Sequence, residues 1–185
     1  MTLIVIIKIL AIIILLLLSA LSSGSETALT AVSKQRAHRQ KDKGAKNANF
    51  ILKIKEFKDE FITGILLANN LFNILATALM TELLVSEFGG LGVSVATIFM
   101  TLMIVIFSEV TPKIFAINKP MTFALKVSKF FYFYTKLIKP IVNLINKVSN
   151  KIIKLIGLNL NADQSKIIEE EFEGAVQLQK QYSKD

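Results

Sequence analysis

The sequence predicts an all-α membrane protein: three transmembrane helices followed by an amphipathic, cytoplasmic juxtamembrane helix. Composition points there first, because 52% of the 185 residues are hydrophobic and the mean hydropathy is positive, whereas soluble domains hold about 45–50% apolar residues. The runs Met1–Leu21, Phe61–Val85 and Leu91–Phe107 each approach the roughly 17–25 residues that cross a hydrocarbon core. The basic residues behind the formal charge of +8 flank these runs, so they report topology and lipid contact and not nucleic-acid binding.

The first run has a signal peptide as its rival, with Lys8, an apolar stretch Ile9–Leu18 and the small residues Ser19-Ala20-Leu21. Its front end is itself apolar (Leu3, Ile4, Val5, Ile6, Ile7), which suits a membrane span better. Between the first and second runs lies a basic loop from Lys34 to Lys46, continuing to Lys53, Lys55 and Lys58. The second and third runs are joined without any Lys or Arg, by Glu82, Glu87 and the turn signal Gly89-Gly90. The positive-inside rule then places the N-terminus outside, the basic loop in the cytoplasm, Glu87–Gly92 outside and everything after Lys113 in the cytoplasm of a cell (inner) membrane protein. Residues 1–118 form the bundle.

Residues 119–160 form the juxtamembrane part. Lys126, Lys129, Lys136 and Lys139 recur too often for a lipid-buried helix. Ile141, Leu144, Ile145, Val148, Ile152, Leu155 and Ile156 repeat at helical spacing against Asn143, Asn146, Lys147, Asn150, Lys151 and Lys154. This face pattern fits a helix on the inner leaflet with lysines at anionic head groups. Pro140 is expected to kink or restart it, and Gly157 to stop it. Residues 161–185 turn acidic and begin a cytosolic helical region too short to bury a core of its own.

Polar residues interrupt all three spans, and intramembrane polar clusters ordinarily have partners or line a pathway. In the second span Asn69 and Asn73 lie about 40° apart on one helix face and one turn apart along the axis, so two amide oxygens can converge on one point. Asn70 falls within the same arc of about 100°. Ion ligand and interhelical glue are both open readings, although glue yields only about 0.6 kcal/mol per contact. In the third span Glu109 precedes Pro112, which removes an amide donor and disrupts the helix about one turn upstream, freeing carbonyls near Phe107 and Ser108. A carboxylate beside freed carbonyls makes a hard-cation site; an interfacial Glu109–Lys113 pair at i, i+4 is the alternative. The first span ends in Ser22-Ser23-Gly24-Ser25-Glu26-Thr27-Ala28, where hydroxyls supply oxygens and glycine permits close backbone approach.

These oxygens, with no cysteine and a lone His38 read as solvated in the basic loop, suit Mg²⁺, Ca²⁺ or Na⁺ over copper or zinc. There is no nucleophile with its base, no phosphate loop and no paired-histidine site in the sequence, so an enzyme is not expected.

Ser23-Gly24-Ser25-Glu26-Thr27-Ala28, Asn69-Asn70-Leu71-Phe72-Asn73 and Glu109-Val110-Thr111-Pro112-Lys113, in this order, resemble the transmembrane domain of the CNNM/CorC magnesium transporters, also known as hemolysin-related membrane proteins. The likeness covers about residues 9–160. It implies a homodimer in the lipid bilayer that exports Mg²⁺ in exchange for Na⁺ by alternating access. Carried over residue by residue, it implies Ser23, Asn69, Asn73 and Glu109 as ligands of a dehydrated Mg²⁺, with Ser25, Glu26, Asn70 and Ser108 as further metal or second-ion candidates. Glu26 is the candidate for Na⁺. Ser108 stands where the family commonly has glycine. The family continues into nucleotide-binding CBS modules, which are absent here, so nucleotide is not an expected ligand. A Mg²⁺ sensor and a non-transporting membrane scaffold are the alternative functions.

Overall fold

The computed structural model describes residues 2–156. Gly157 and the acidic stretch 161–185, for which a helix stop and a cytosolic helical region are expected, lie outside the described residues. The chain divides into two compact units, Met1–Asn143 and Leu144–Asp185. Among the described residues every regular element is helical: α1 (Thr2–Ala31), α2 (Lys34–Asp42), α3 (Ala48–Glu56), α4 (Lys58–Phe88), α5 (Leu91–Met103), a π-helical segment Ile104–Val110, α6 (Thr111–Asn118) and α7 (Pro120–Leu155).

Among the described residues, three stretches are long and apolar enough to cross a membrane: Leu3–Ala31, Lys58–Phe88 and Leu91–Asn118. Each outruns the apolar run that announced it. The first continues straight through the serine motif, because the hydroxyls there bond to their own helix. Ser22 donates to the Leu18 carbonyl at 2.9 Å, Ser25 to Leu21 at 2.6 Å and Thr27 to Ser23 at 3.2 Å. With their donors satisfied one turn back, these side chains no longer need water to end the helix. α1 stops at Ala31, and Ser33 then caps α2 by accepting the Arg36 amide at 3.3 Å.

The region expected as a basic loop is largely helical. α2 and α3 carry their charges outward while Ala37, Ala48, Ile51, Leu52 and Ile54 are buried, a spacing that the density of lysine obscures. The turn between them needs a left-handed residue, supplied by Asn47 at φ 70°. Its side-chain amide donates to the Leu125 carbonyl at 3.0 Å, and its own carbonyl accepts from Ser128 at 3.2 Å, fixing this turn on α7. The main core lies here, around Leu29, Val32, Ile51, Phe61, Ile65 and Phe131. Phe61 and Phe131 meet edge to face with ring centroids 6.4 Å apart. A smaller cluster of Ile12, Ala76 and Met100 holds the spans together farther along.

Pro140 lies inside α7, which continues through it without restarting. Proline removes one amide donor, but both flanks are held: Val142 is buried, and Ile138 fills the notch left by Gly64, where a Cβ would stand 2.8 Å from its Cδ1. Tyr134 donates to the Gly64 carbonyl at 3.2 Å.

Lys55 of α3 donates to the Thr30 carbonyl at 3.2 Å, in the last turn of α1, where a cation meets the negative end of a helix. Partial burial, then the neighbouring Lys58 and Lys34, lower its pKa from the ordinary 10.5. The native state therefore binds fewer protons here than the unfolded one. The group's contribution to stability is complete above the ordinary lysine value and is lost as pH falls through the lowered native value. At pH 9 acetic anhydride is expected to modify Lys55 faster than Lys41 or Lys43 of the α2 end, read by mass spectrometry; a slower Lys55 would contradict the lowered value.

Candidate metal centre

The centre sits where α1, α4 and the π-helical segment meet. Asn69 and Asn73 are one turn apart on α4, and their Oδ1 atoms lie 2.6 and 2.7 Å from a single point, the Ser19 Oγ of α1. Ser19 is fully buried and Asn69 nearly so. A serine hydroxyl has one proton to give, so two carbonyl oxygens and the hydroxyl oxygen converge with less positive charge between them than three oxygens ask for. That surplus is what a cation neutralises.

Ser23 lies one turn beyond Ser19 on the same face of α1 and is 1% exposed. Its hydroxyl has no hydrogen-bond partner among the described residues, although Ser22 and Ser25 nearby have found carbonyls of their own helix. An unsatisfied buried hydroxyl costs about 1–3 kcal/mol, and such an orphan in a native structure often marks an ion or water site.

The third span is brought to the same level by two contacts. Ser108, buried, donates to the Leu16 carbonyl across the helix interface at 3.1 Å. Gly24 approaches the Pro112 backbone so closely that a Cβ would stand 3.3 Å from that carbonyl oxygen. Glu109 lies between Ser108 and Pro112, as Ser19 and Ser23 lie between Leu16 and Gly24, so the Glu109 backbone runs alongside the stretch of α1 that carries these hydroxyls. The expected break at Pro112 takes the form of the π-helical segment Ile104–Val110, closed by a bond from the Thr111 amide to the Ile106 carbonyl. In that register proline offers no donor to the Phe107 carbonyl, and single π turns inside α-helices recur at functional sites. Glu109 is partly buried and makes no hydrogen bond or ion pair among the described residues; in particular it does not pair with Lys113.

The remaining candidates separate. Ser25 is buried with its proton committed to Leu21. Asn70 is exposed on another face of α4, away from the point where Asn69 and Asn73 meet. Ser108 serves as the tie between spans just described. Glu26 is partly buried and lies within about 20° of Ser19 around α1, two turns along. Ser19 itself escaped the sequence reading, where it figured only as a small residue of a cleavage site. Running the period of the serine motif back one turn from Ser23 would have found it.

Among the described residues no group of three His, Cys, Asp or Glu side chains comes together. A cation here would be held by neutral amide and hydroxyl oxygens with one carboxylate, a hard and oxygen-only donor set.

The family profile for the cyclin M transmembrane N-terminal domain matches residues 10–183. The chain belongs to the CNNM family. This CNNM domain is 33% identical over 152 residues to a UPF0053 protein of Haemophilus influenzae, covering 82% of this chain and 36% of that protein. It is 31% identical over 134 residues to the UPF0053 inner membrane protein YfjD of Escherichia coli, covering 72% and 31%. A putative DUF21 domain-containing chloroplastic protein of Arabidopsis thaliana shows 31% identity over 134 residues, covering 72% and 20%. The CNNM chain thus spans about a third of the length of the bacterial relatives it matches.

Proposed function

We propose that this CNNM domain exports Mg²⁺ across the cell (inner) membrane by alternating access, driven by Na⁺ entry. The observation that carries the reading is the convergence of the Asn69 and Asn73 oxygens on Ser19. Mg²⁺ requires near-octahedral oxygens at about 2.0–2.1 Å and parts with its waters reluctantly, so a site must offer several oxygens already gathered. Asn69, Asn73, Ser19 and Ser23 replace part of the hydration shell and Glu109 supplies the negative charge. Moving a divalent ion against the membrane potential costs about 4.6 kcal/mol per 100 mV, twice the single-charge figure, which is why coupling is needed; Glu26 is placed to take the Na⁺. In this reading the N-terminus is outside, α2, α3 and α7 are cytoplasmic, α7 lies on the inner leaflet with its lysines at anionic head groups, and two copies form the working unit. The chain carries an ion and catalyses no reaction.

The test is isothermal titration of Mg²⁺ into the detergent-purified protein, with Na⁺ varied. Asn73→Ala and Ser19→Ala are each expected to weaken binding at least tenfold, equivalent to about 1.4 kcal/mol, and Na⁺ to weaken it in the wild type. Absence of Mg²⁺ binding by folded wild-type protein would replace transport with the scaffold reading. Binding without Na⁺-dependent efflux from loaded vesicles would make the domain a sensor.

A further inference from the structure

Lys8 is the only charged residue of α1 before Glu26, and it sits in the most apolar of the spans. Its Nζ lies 2.7 Å from the Glu82 Oε1 of α4, with the lysine side chain 24% exposed and the glutamate 64%. The pair ties α1 to α4 at the end of the bundle remote from the basic helices α2 and α3. Nothing in the candidate metal centre uses it.

A groove of about 710 Å³ connects the two places. It is lined by Asn73, Thr77, Thr81 and Glu82 with Ile74, Val85 and Ile104, and it has room for on the order of twenty waters at about 30 Å³ each. Asn73, Thr77 and Thr81 follow one another at one-turn intervals on α4. The Thr77 hydroxyl donates to the Asn73 carbonyl and the Thr81 hydroxyl to the Thr77 carbonyl, both at 2.8 Å. With their protons committed to the helix, both hydroxyls keep only lone pairs to offer. The track from Asn73 to Glu82 is about 13 Å long at 1.5 Å per residue, and beyond the Asn73 amide at its inner end its polar groups are two hydroxyl oxygens left as acceptors and a carboxylate. Such a row suits a partly hydrated hard cation.

Resting on the transport reading above, we infer that this groove is the route by which the cation leaves the Asn69–Asn73 centre on the side remote from α2 and α3, and that the Lys8–Glu82 ion pair is the gate that closes it. With the ammonium on the carboxylate the mouth has no negative charge to draw a cation, and it puts a positive charge in the cation's way. When α1 and α4 part at this end, Glu82 becomes the last acceptor of the track and Lys8 withdraws with α1.

The natural sequence has no cysteine, so Lys8→Cys with Glu82→Cys introduces the only two thiols. After reconstitution of the full chain in Mg²⁺-loaded vesicles, a bis-methanethiosulfonate linker is expected to cut Na⁺-dependent Mg²⁺ flux at least tenfold. A reductant should restore it, and Mg²⁺ affinity by calorimetry should stay within threefold. The reversed pair Lys8→Glu with Glu82→Lys should transport, while each single reversal should lose flux at least tenfold with Mg²⁺ still bound. Linked protein that binds and transports like the wild type, or single reversals that transport normally, would overturn the gate and leave the transport reading standing. A wild type that binds no Mg²⁺ would overturn both.

Discussion

Glu109→Gln is expected to lower Mg²⁺ affinity about a hundredfold and to abolish Na⁺-dependent efflux while leaving the folded protein as stable as before. Glutamine keeps the shape of the side chain and removes only its charge. No ion pair is lost, because Glu109 has no partner among the described residues, so the usual route by which a lost charge destabilises a protein is closed. The effect on binding is large because every other proposed ligand is neutral. Two unit charges at 4 Å interact by about 4 kcal/mol at an effective dielectric of 20, and a divalent ion doubles this to about 8. If a third of that survives desolvation, about 2.7 kcal/mol is left, which is the hundredfold stated. Calorimetry and circular dichroism melts on the same preparation separate the two effects. A variant that binds Mg²⁺ normally but melts earlier would make Glu109 a structural group and remove the charge from the centre.

What the sequence made legible follows from which interactions are local. The spans announce themselves by their apolar runs, and Asn69 with Asn73 by helical period alone. Where α1 ends is a different matter, because Ser22, Ser25 and Thr27 are polar letters whose hydroxyls bond back to Leu18, Leu21 and Ser23, so polarity there does not mean water. Pro112 told of a disturbance and not of its form. A π-helical segment keeps the span continuous here with the contacts Ser108–Leu16 and Gly24–Pro112 holding it on α1, and both join residues far apart in the chain. The period of the serine motif puts Ser19 on the face of Ser23, but its meeting with Asn69 and Asn73 depends on the register between α1 and α4, which no local pattern specifies. Helix α3 could have been read from the spacing of Ile51, Leu52 and Ile54, had the lysines among them not suggested a solvated loop, whereas α2 buries only Ala37 and offers no such spacing.

Gly24→Leu is expected to abolish Mg²⁺ binding from a position that carries no ligand atom. A Cβ at Gly24 would stand 2.9 Å from the Phe123 Cζ and 3.3 Å from the Pro112 carbonyl oxygen. The first obstacle is the far end of a side chain and can swing away; the second is backbone, held by α6. Gly24→Ala therefore displaces mainly the Phe123 ring, and better helix propensity, up to about 1 kcal/mol over glycine, offsets much of that cost. Its Mg²⁺ affinity should stay within threefold of wild type. Leucine adds three more carbons against the Pro112 carbonyl, so α1 has to back away from α6, at the cost of about 1–3 kcal/mol usual for overpacking. Ser19 and Ser23 move with α1 and Glu109 stays with the third span, whereas metal distances tolerate about 0.2 Å. Loss of at least a hundredfold in affinity should follow. Adding Phe123→Ala to Gly24→Leu is expected to recover part of the melting temperature and none of the binding, since it clears the ring and leaves the carbonyl. Recovery of both together would mean that Phe123 alone sets the spacing of α1 and α6, and that the glycine is there for the ring and not for the proline backbone.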